Sequence, residues 1–223
     1  MPIYNEAAAL PGFLATMRPL LDADDESLEL LLVDGGSTDG SQQIAARSGF
    51  PLLQTNLGRA KQMNAGAASA NGELFLFLHA DTRLPQQAIP RARAAVAQGA
   101  IGGYFNVRLD SRRFLLRLAG RMISWRSRLT GVASGDQAIF VTRTAFARLD
   151  GYASLPLFED LDFCRRLKRI GSVVSLDPPV ITSPRRWERH GVWRTIVNMW
   201  TLRFLYYCGV DPERLARFYG SAR

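Results

Sequence analysis

Apolar runs alternate with amphipathic stretches along the first half of the chain. The continuous apolar run Leu28–Val33 stops at Asp34, and a second run, Leu74–Leu78, stops at His79. A short apolar run of this kind predicts a strand buried on both faces, and the amphipathic stretches between the runs predict the covering helices. The pattern therefore predicts an α/β fold, in which a Rossmann-like, mostly parallel sheet carries helices on both faces.

The alternation continues to the end of the chain, although the elements of the second half are less regular. We find no linker or repeat that would divide the chain, so we expect one domain over residues 1–223. The further predicted strands are Pro51–Gln54, Ile101–Leu109, Ala138–Thr142 and Val173–Leu176, and the predicted helices are Ala7–Leu21, Ser41–Ser48, Arg59–Ala70, Gln86–Gln98, Ser111–Leu129, Glu159–Arg169 and a tail from Val192.

The start of the chain lacks the buried strand with which a sheet of this kind opens. Such a strand needs about five to seven residues. Met1 instead stands directly before Pro2–Glu6, a segment with the character of a strand-to-helix turn. We therefore expect a first strand that is missing or truncated.

Polar clusters follow two of the predicted strands, at Asp34–Ser41 and His79–Arg83. In open α/β sheets, ligands bind in a crevice beyond the carboxyl ends of the strands. We therefore expect these two strands to deliver their polar side chains to one crevice.

The charge is distributed unevenly. The 28 Lys and Arg residues outnumber the 20 Asp and Glu residues, which gives a net charge of +8, yet residues 1–50 contain eight acidic side chains and two basic ones. Only Lys61 and Lys168 are lysines, and arginine is better suited than lysine to bidentate contact with phosphate. This pattern favours a directed basic face and argues mildly against a general nucleic-acid-binding protein.

The cysteines and the hydropathy indicate a cytoplasmic protein. Cys164 and Cys208 stand far apart without a CxxC pair, so neither a disulfide framework nor a zinc site is indicated. No basic and then apolar leader is present at the start. The most apolar window, Val192–Cys208, is interrupted by Arg194 and Arg203, which argues against a transmembrane span.

Four motifs in a fixed order carry a family resemblance. They are Pro2–Glu6, Val33–Ser41, Leu78–Asp81 and Phe158–Asp162. With them the chain resembles, over nearly its whole length, the family-2 glycosyltransferases, inverting enzymes of the glycosyltransferase-A (GT-A) fold that use nucleotide-diphospho-sugars. Three further segments, Gly58–Asn64, Gly135–Ala138 and Arg185–Glu188, are similar to a bacterial subgroup associated with arsenosugar biosynthesis.

The resemblance implies a division of labour and a reaction. Residues 1–98 would form the nucleotide-binding half, residues 99–190 the acceptor and catalytic half, and residues 191–223 an aromatic helical tail. The reaction would be metal-assisted, inverting transfer of a hexosyl or related group to an acceptor hydroxyl, and the acceptor is unknown.

For the nucleoside, the resemblance implies contacts by Tyr4, Glu6 and Asp34, with Gly35 and Gly36 leaving room for the base. A structural alternative stays open for the acidic residues. Side chains of this type also build turns and stabilise helix N-termini, which would account for Glu6 and for the Asp34–Asp39 segment.

For the diphosphate, the resemblance implies a divalent metal, Mn²⁺ or Mg²⁺, held by Asp81. The family carries an Asp-x-Asp-like motif here, whereas this chain has His79 in place of the first carboxylate. Imidazole nitrogen suits Mn²⁺ better than Mg²⁺, so His79 is a candidate ligand or a hydrogen-bonding group near the sugar. His190 is a further candidate ligand, with a solvated loop histidine as its alternative.

Basic and polar residues elsewhere are candidates for the rest of the donor site. Arg59 could reach a phosphate, or belong to a solvated helix face. Arg186 and Trp187 match a family Gln-x-x-Arg-Trp sequence in which Ser183 replaces the glutamine here, and we expect them on a mobile loop near the diphosphate or acceptor. The alternative for Trp187 is packing on the body of the domain. Asp136 and Gln137 are the candidates that would line the sugar or acceptor pocket.

Inversion requires one carboxylate base on the acceptor side of the anomeric carbon. The family's Glu-Asp motif matches Glu159-Asp160, which points to Asp160 as the base. The alternative is that Glu159 or Asp160 only caps a helix, with Asp162 pairing to Arg166 four residues later.

The segment Ser111–Leu129 interleaves arginines with large apolar residues, and the tail adds many aromatic ones. Three interpretations stay open: a peripheral contact with the inner face of the membrane, a homodimer contact, and an amphipathic helix packed on the core. Competing function classes are a nucleotidyltransferase on a similar sheet, a basic nucleic-acid-binding or membrane-surface protein, and an inactive transferase that acts as a binding subunit.

Overall fold

The computed structural model describes residues 1–22 and 28–220. Asp24, Asp25 and Glu26, three of the acidic residues counted in the first half, lie outside this part of the chain, as do the last three residues of the tail. The strands are β1 (Pro2–Ile3), β2 (Leu32–Asp34), β3 (Leu52–Gln54), β4 (Leu74–Leu76), β5 (Thr82–Arg83), β6 (Gly102–Leu109), β7 (Phe140–Thr142) and β8 (Val173–Thr182).

The helices follow the amphipathic stretches of the sequence. Most of them begin and end within a few residues of the predicted bounds, because their apolar residues recur at helical spacing. They are α1 (Leu10–Asp22), α2 (Ser41–Arg47), α3 (Arg59–Ser69), α4 (Ala88–Ala97), α5 (Phe114–Thr130), α6 (Arg143–Arg148), α7 (Glu159–Ile170), α8 (Arg185–His190), α9 (Val192–Tyr207) and α10 (Pro212–Gly220).

The first three strands form a parallel sheet in the order β1-β2-β3. The strand at the start of the chain, β1, has two residues, and Pro2 and Ile3 pair with Val33 and Asp34 of β2. Because the strands run in the same direction, the polar residues after β1 and after β2 meet at one edge.

The remaining strands form a second, mixed sheet in the order β4-β7-β6-β8-β5. Only β6 and β8 are parallel here, whereas β7 is antiparallel to both β4 and β6, and β5 is antiparallel to β8. The expectation of a mostly parallel arrangement therefore holds for the first sheet and not for the second. An apolar run in the sequence indicates that a strand is buried, but it does not show whether the strand pairs parallel or antiparallel to its neighbours.

Apolar side chains cover both faces of the sheets. Adjacent residues of β7 point to opposite sides, since Phe140 packs with α1 and α4 residues while Val141 packs with residues of α3, α6 and α7. This alternation is the two-residue period of a strand. Helices consequently lie on both faces, as the sequence predicts.

Strand β8 extends past the predicted end at Leu176 to Thr182. Its last residues pair with β5, where Thr182 is opposite Thr82, and the Ser183 N–H donates to the Asp81 carbonyl oxygen at 3.1 Å. The extension thus brings the segment after β8 to the end of the His79–Asp81 motif.

Three short elements were not predicted: β5, α6 and α8. Helix α8 contains Arg185–His190, the segment expected to be a mobile loop. Helix α8 has only six residues, which are too few for a helical period of apolar positions to appear in the sequence. Within residues 1–22 and 28–220, none of the helices combines the length and the apolar character that crossing a membrane requires.

Gly103 in β6 lies where no side chain fits. A β-carbon there would be 2.5 Å from Phe140 Cζ and would also overlap the Val174 carbonyl oxygen. We predict that Gly103→Ala lowers the free energy of unfolding by roughly 2–4 kcal/mol, because strand pairing must shift. Urea denaturation monitored by circular dichroism would measure the change.

Gly12 in α1 provides the matched control, because nothing lies within 4 Å of a β-carbon placed there. Gly12→Ala should raise the free energy of unfolding by about 0.5–1 kcal/mol, since alanine favours the helix. Equal stabilities for the two variants would contradict the close approach of β6, β7 and β8.

Candidate active site

A pocket of about 250 Å³ lies between α5, α7, α8 and α9, at the carboxyl ends of the strands. One part of its wall is charged and the other is apolar. The charged and polar lining residues are Arg59, His79, Asp81, Arg126, Ser134, Asp136, Glu159, Asp160, Thr182, Ser183, Arg186, Thr195 and Arg203, together with Tyr219.

The first two motifs are held together by hydrogen bonds between their turns. The Asn5 N–H donates to Ser37 Oγ at 2.9 Å, and the Glu6 N–H donates to Ser41 Oγ at 2.8 Å. The Ala7 N–H donates to Asp39 Oδ2 at 2.9 Å. The sequence allowed the Asp34–Asp39 segment to cap the next helix. The other oxygen of Asp39 accepts the Ser41 N–H, but the cap residue of α2 is Gly40.

Asp34 is fully buried at the end of β2. Its Oδ2 accepts the N–H groups of Gly36 and Ser37 and the Gln42 side-chain amide, and its Oδ1 accepts the Ser37 hydroxyl. Burial alone would raise the pKa of Asp34, but these donors outweigh it and lower the pKa. Asp34 therefore organises its own turn, as the structural alternative expected, and its nucleoside contact stays a prediction.

The two glycines after Asp34 have different surroundings. A β-carbon at Gly35 would lie 3.0 Å from Gln62 Cδ, so the space beside Gly35 is filled by protein. Gln62 is buried there, and its Nε2 donates to the Ile3 and Val33 carbonyl oxygens at 2.8 Å each. Only Gly36 faces open space, which corrects the expectation that both glycines leave room for a base.

Arg185 joins the two acidic motifs. Its Nη2 lies 3.5 Å from Glu6 Oε2 and 3.5 Å from Asp81 Oδ2. Burial raises the pKa of Glu6, and the charge of Asp81 acts in the same direction. Burial also raises the pKa of Asp81, and Arg185 opposes this shift. The acidic edge therefore holds more negative charge than one arginine neutralises.

Asp160 stands at the start of α7 and faces the 3₁₀ turn Gly135–Gln137. Its Oδ2 accepts the Gly135 N–H at 2.6 Å, and its Oδ1 accepts the N–H of Leu161 at 2.7 Å. Burial raises the pKa of Asp160 to about 7, and the charge of Glu159 adds to this effect. The residue before the first turn of α7 is Phe158, so neither Glu159 nor Asp160 occupies the cap position of this helix.

His79 lies beside the same turn. A β-carbon at Gly135 would be 2.6 Å from His79 Nε2, so only glycine fits between the imidazole and Asp160. Burial lowers the pKa of His79 to about 3, and the charge of Arg59 acts in the same direction. The imidazole is therefore neutral, and a neutral nitrogen can accept a hydrogen bond or bind a metal.

Asp162, next along α7, takes the structural role that the sequence indicated. Its Oδ2 accepts from Arg166 Nε at 2.7 Å, the expected pairing over four residues. Arg166 also donates to the carbonyl oxygens of Leu149 and Gly151. Asp162 does not line the pocket.

Arginines occupy several sides of the pocket. Arg59 Nη1 lies 3.7 Å from Glu159 Oε1, and Arg186 packs over the Tyr219 ring, 4.4 Å from its centroid. Sequence reasoning missed Arg126 of α5 and Arg203 of α9, which also line the pocket. The interruption of an apolar window by Arg203 was a usable indication, because a charge among core-like residues needs a polar surrounding.

Two predicted residues lie away from the pocket. Gln137 is fully buried, with its Oε1 accepting from Ser127 Oγ at 2.7 Å and its Nε2 donating to the Phe105 carbonyl oxygen. It holds the 3₁₀ turn in place and leaves only Asp136 facing the pocket, which corrects the expectation for Gln137. His190 ends α8 outside the pocket lining, so the structure does not bring it to Asp81.

The residues around Asp81 fit a divalent metal that takes most of its ligands from substrate phosphate and water. Among the residues that the structure describes, no three histidine, cysteine or acidic side chains form a metal-holding group. Asp81 is nevertheless a carboxylate in an edge with uncompensated negative charge, beside Glu6 and the Asp136 charge. Mg²⁺ and Mn²⁺ sites that serve phosphate substrates commonly use one or two carboxylates, with phosphate oxygens and water completing the shell.

Comparison with known sequences identifies the family. The sequence model described as Glycosyl transferase family 2 matches residues 1–148. The undecaprenyl-phosphate 4-deoxy-4-formamido-L-arabinose transferase of Aeromonas hydrophila is 33% identical over 148 residues, which cover 61% of this chain and 44% of that protein. The protein of the same name from Pseudomonas paraeruginosa is 34% identical, with coverage of 61% and 43%. The chain thus spans less than half the length of these relatives.

Solved structures show the same fold. TarS of S. aureus in complex with UDP-GlcNAc gives a TM-score of 0.62 at 20% identity, covering 82% of this chain and 56% of that chain. The mannosyltransferase PcManGT of Pyrobaculum calidifontis, in complex with GDP-Man and Mn²⁺, gives 0.62 at 22% identity, with coverage of 82% and 54%.

These findings confirm the GT-A fold that the motifs indicated. The matched segment contains β1 to β7 and the motifs that end at Glu6, Ser41 and Asp81, and it stops before Asp160. The resemblance to the arsenosugar subgroup stays a prediction. The chain belongs to glycosyl transferase family 2.

Proposed function

We propose that this protein is an inverting glycosyltransferase that moves a sugar from a nucleotide-diphospho-sugar to an acceptor hydroxyl with the help of a divalent metal. The observation that carries the proposal is the position of Asp160. A carboxylate with a pKa near neutrality lines the same pocket as Asp81 and several arginines. A base with a pKa near the working pH is the most effective kind.

The donor would lie along the edge formed by the first 98 residues. The nucleoside would lie beside the Asp34 turn, where Gly36 faces open space. Tyr4, which is exposed just after β1, and Glu6, whose N–H donates to Ser41 Oγ, would border it. The diphosphate would then lie between Asp81 and the pocket arginines. UDP and GDP sugars are bound by structurally similar proteins, TarS and PcManGT, and both are therefore the first donors to test.

The proton transfer follows from the position of Asp160. Ionised Asp160 would accept the proton of the acceptor hydroxyl as that oxygen attacks the anomeric carbon. The bond from that carbon to the diphosphate oxygen breaks on the opposite face, so the configuration inverts. The two N–H groups that hold the carboxylate keep it aimed at the pocket while it changes charge.

The leaving diphosphate develops negative charge, which Arg59 and Arg186 can stabilise from the pocket wall. Asp81 would hold the metal, with neutral His79 nearby as a second group. When bound, the metal supplies charge neutralisation on the diphosphate oxygens. Trp187, which packs against the body of the domain near Leu116 and also lines the pocket, would border the acceptor.

Location and division of labour form part of the same proposal. Residues 99–190 would supply the base and the acceptor side, and residues 191–223 would form the helical tail beside it. We place the protein in a reducing, cytoplasmic setting as part of this proposal, because the cysteine spacing is not that of a disulfide framework.

We predict that Asp160→Asn lowers kcat by about 10²–10⁴-fold and leaves donor affinity within about threefold of wild type, because the amide cannot accept the proton. Steady-state kinetics and calorimetric donor titration would measure the two effects. The control is Asp162→Asn on the same helix, which should retain most of the activity. Loss of donor binding in Asp160→Asn would contradict the assignment of the base.

The dependence of donor binding on the metal distinguishes the role proposed for Asp81 from that proposed for Asp160. We predict that wild type binds a UDP-, GDP- or dTDP-sugar more tightly with Mn²⁺ than without it, and that Asp81→Asn removes this difference. A carboxylate ligand is lost in that variant, while the nucleoside contacts stay. Donor titrations with and without Mn²⁺ would test it, and metal-independent binding by wild type would refute the metal assignment.

Activity should also depend on pH through Asp160. Because the base must be ionised and its pKa is about 7, the rate should fall as the pH drops below that value. Glu159→Gln removes a negative charge that raises this pKa, so the acidic limb should move to lower pH. A pH profile of kcat/KM would show the shift, and Asp162→Asn should leave the limb in place.

A further inference from the structure

Helix α5 exposes a continuous apolar stripe. Its members recur every three or four residues, so they share one face of the helix, and they are 39–66% exposed. The buried residues Leu116 and Ala119 lie on the other side of the helix, against the domain. The stripe of α5 consists of Phe114, Leu118, Met122, Trp125 and Leu129.

Helix α9 exposes a second stripe with the same spacing. Its members are 54–69% exposed, and four of the five are aromatic. Thr195 and Leu202 are buried on the opposite side of this helix. The stripe of α9 consists of Trp193, Val197, Trp200, Phe204 and Tyr207.

The pocket opens between the two stripes. Its lining includes Met122 of the α5 stripe and Trp200 of the α9 stripe, each about half exposed. The two stripes therefore flank one pocket, and we call them together the interfacial face. Two helices that each expose a stripe of five large apolar side chains beside a pocket indicate a partner.

Arginines follow the edge of this face. Arg113, Arg117 and Arg121 recur every four residues along α5, next to the apolar stripe, and all three are exposed. In the described part of the chain, no acidic side chain pairs with any of them. A row of free guanidinium groups beside an apolar stripe is complementary to an anionic headgroup above an acyl layer.

We propose that the interfacial face docks on the surface of an anionic membrane. Tryptophan and tyrosine suit the boundary between headgroups and acyl chains, and the arginines would contact lipid phosphates. In this orientation the mouth of the pocket faces the lipid. A second copy of the chain would offer the same arginine row and would bring like charges together, so charge favours the membrane.

Vesicle co-sedimentation tests the proposal without donor or acceptor, so its outcome is separate from that of the sugar transfer. We expect wild type to pellet with vesicles of equimolar phosphatidylcholine and phosphatidylglycerol, and to pellet less with phosphatidylcholine alone. Raising the salt concentration should weaken the binding, because the arginine contribution is screened.

Two sets of variants distinguish the contribution of charge to vesicle binding from that of apolar contact. The triple variant R113Q/R117Q/R121Q should bind the mixed vesicles roughly 100-fold more weakly, whereas R47Q/R91Q/R148Q, with three exposed arginines exchanged elsewhere, should bind within about threefold of wild type. Phe114→Ser with Trp125→Ser, or Trp193→Ser with Phe204→Ser, should each weaken binding at least about tenfold. Leu57→Ser, an exposed apolar residue outside the face, is the control.

Three results would overturn the proposal. One is the absence of wild-type binding to the mixed vesicles at low salt. Another is an equal loss in the two triple-arginine variants, which would mean that net charge alone attracts the protein. The last is a dimer in sedimentation equilibrium that the Phe114/Trp125 variant converts to a monomer, since a second copy would then cover the face. Circular dichroism would verify that each variant is folded.

Discussion

The crowding of carboxylates around one partly buried pocket is the constraint on which the rest of the site depends. Burial raises the pKa of Asp81 and Asp160, which line the pocket, and of the neighbouring Glu6. The charge of Asp81 adds to the shift of Glu6, and the charge of Glu159 adds to the shift of Asp160. Arg185 and Arg59 offset part of that charge. The negative charge where Glu6 meets Asp81 would favour a divalent cation, and the raised pKa of Asp160 would suit a proton-accepting base.

The arrangement of the strands collects these groups from distant parts of the chain. Parallel pairing of β1 and β2 joins the Glu6 turn to the Asp34 turn, and the extension of β8 brings Arg185 to Asp81 and Glu6. The start of α7 then places Asp160 against Gly135. Asp81 from the first half of the chain and Asp160 from the second half thus meet in one pocket. A change in the pairing of β5 with β8 would alter the acidic edge without touching its residues.

Much of the fold and part of the site could be predicted from the sequence. Apolar runs and helical periods predicted most elements, and the motifs that contain Asp81 and Asp160 led to two residues that line one pocket. Gln137 and His190 were expected there and lie elsewhere, because a polar residue near a motif can serve the local backbone equally well. Arg126 was not chosen, since a single arginine in a helix rich in arginine does not reveal which way its side chain faces. Arg203 was overlooked, although its place in an apolar window indicated a polar surrounding.

The sequence by itself determined the family, the order of the elements, the charge asymmetry and the stretches rich in arginine and apolar residues. Those properties depend on residue type and on short spacing, which the chain carries locally. Only the tertiary structure decided which strands are antiparallel, that Gln62 fills the space beside Gly35, and that the stripes of α5 and α9 border one pocket. These depend on contacts between residues far apart in the chain, where packing and the pairing of buried polar groups select among arrangements that local patterns allow equally.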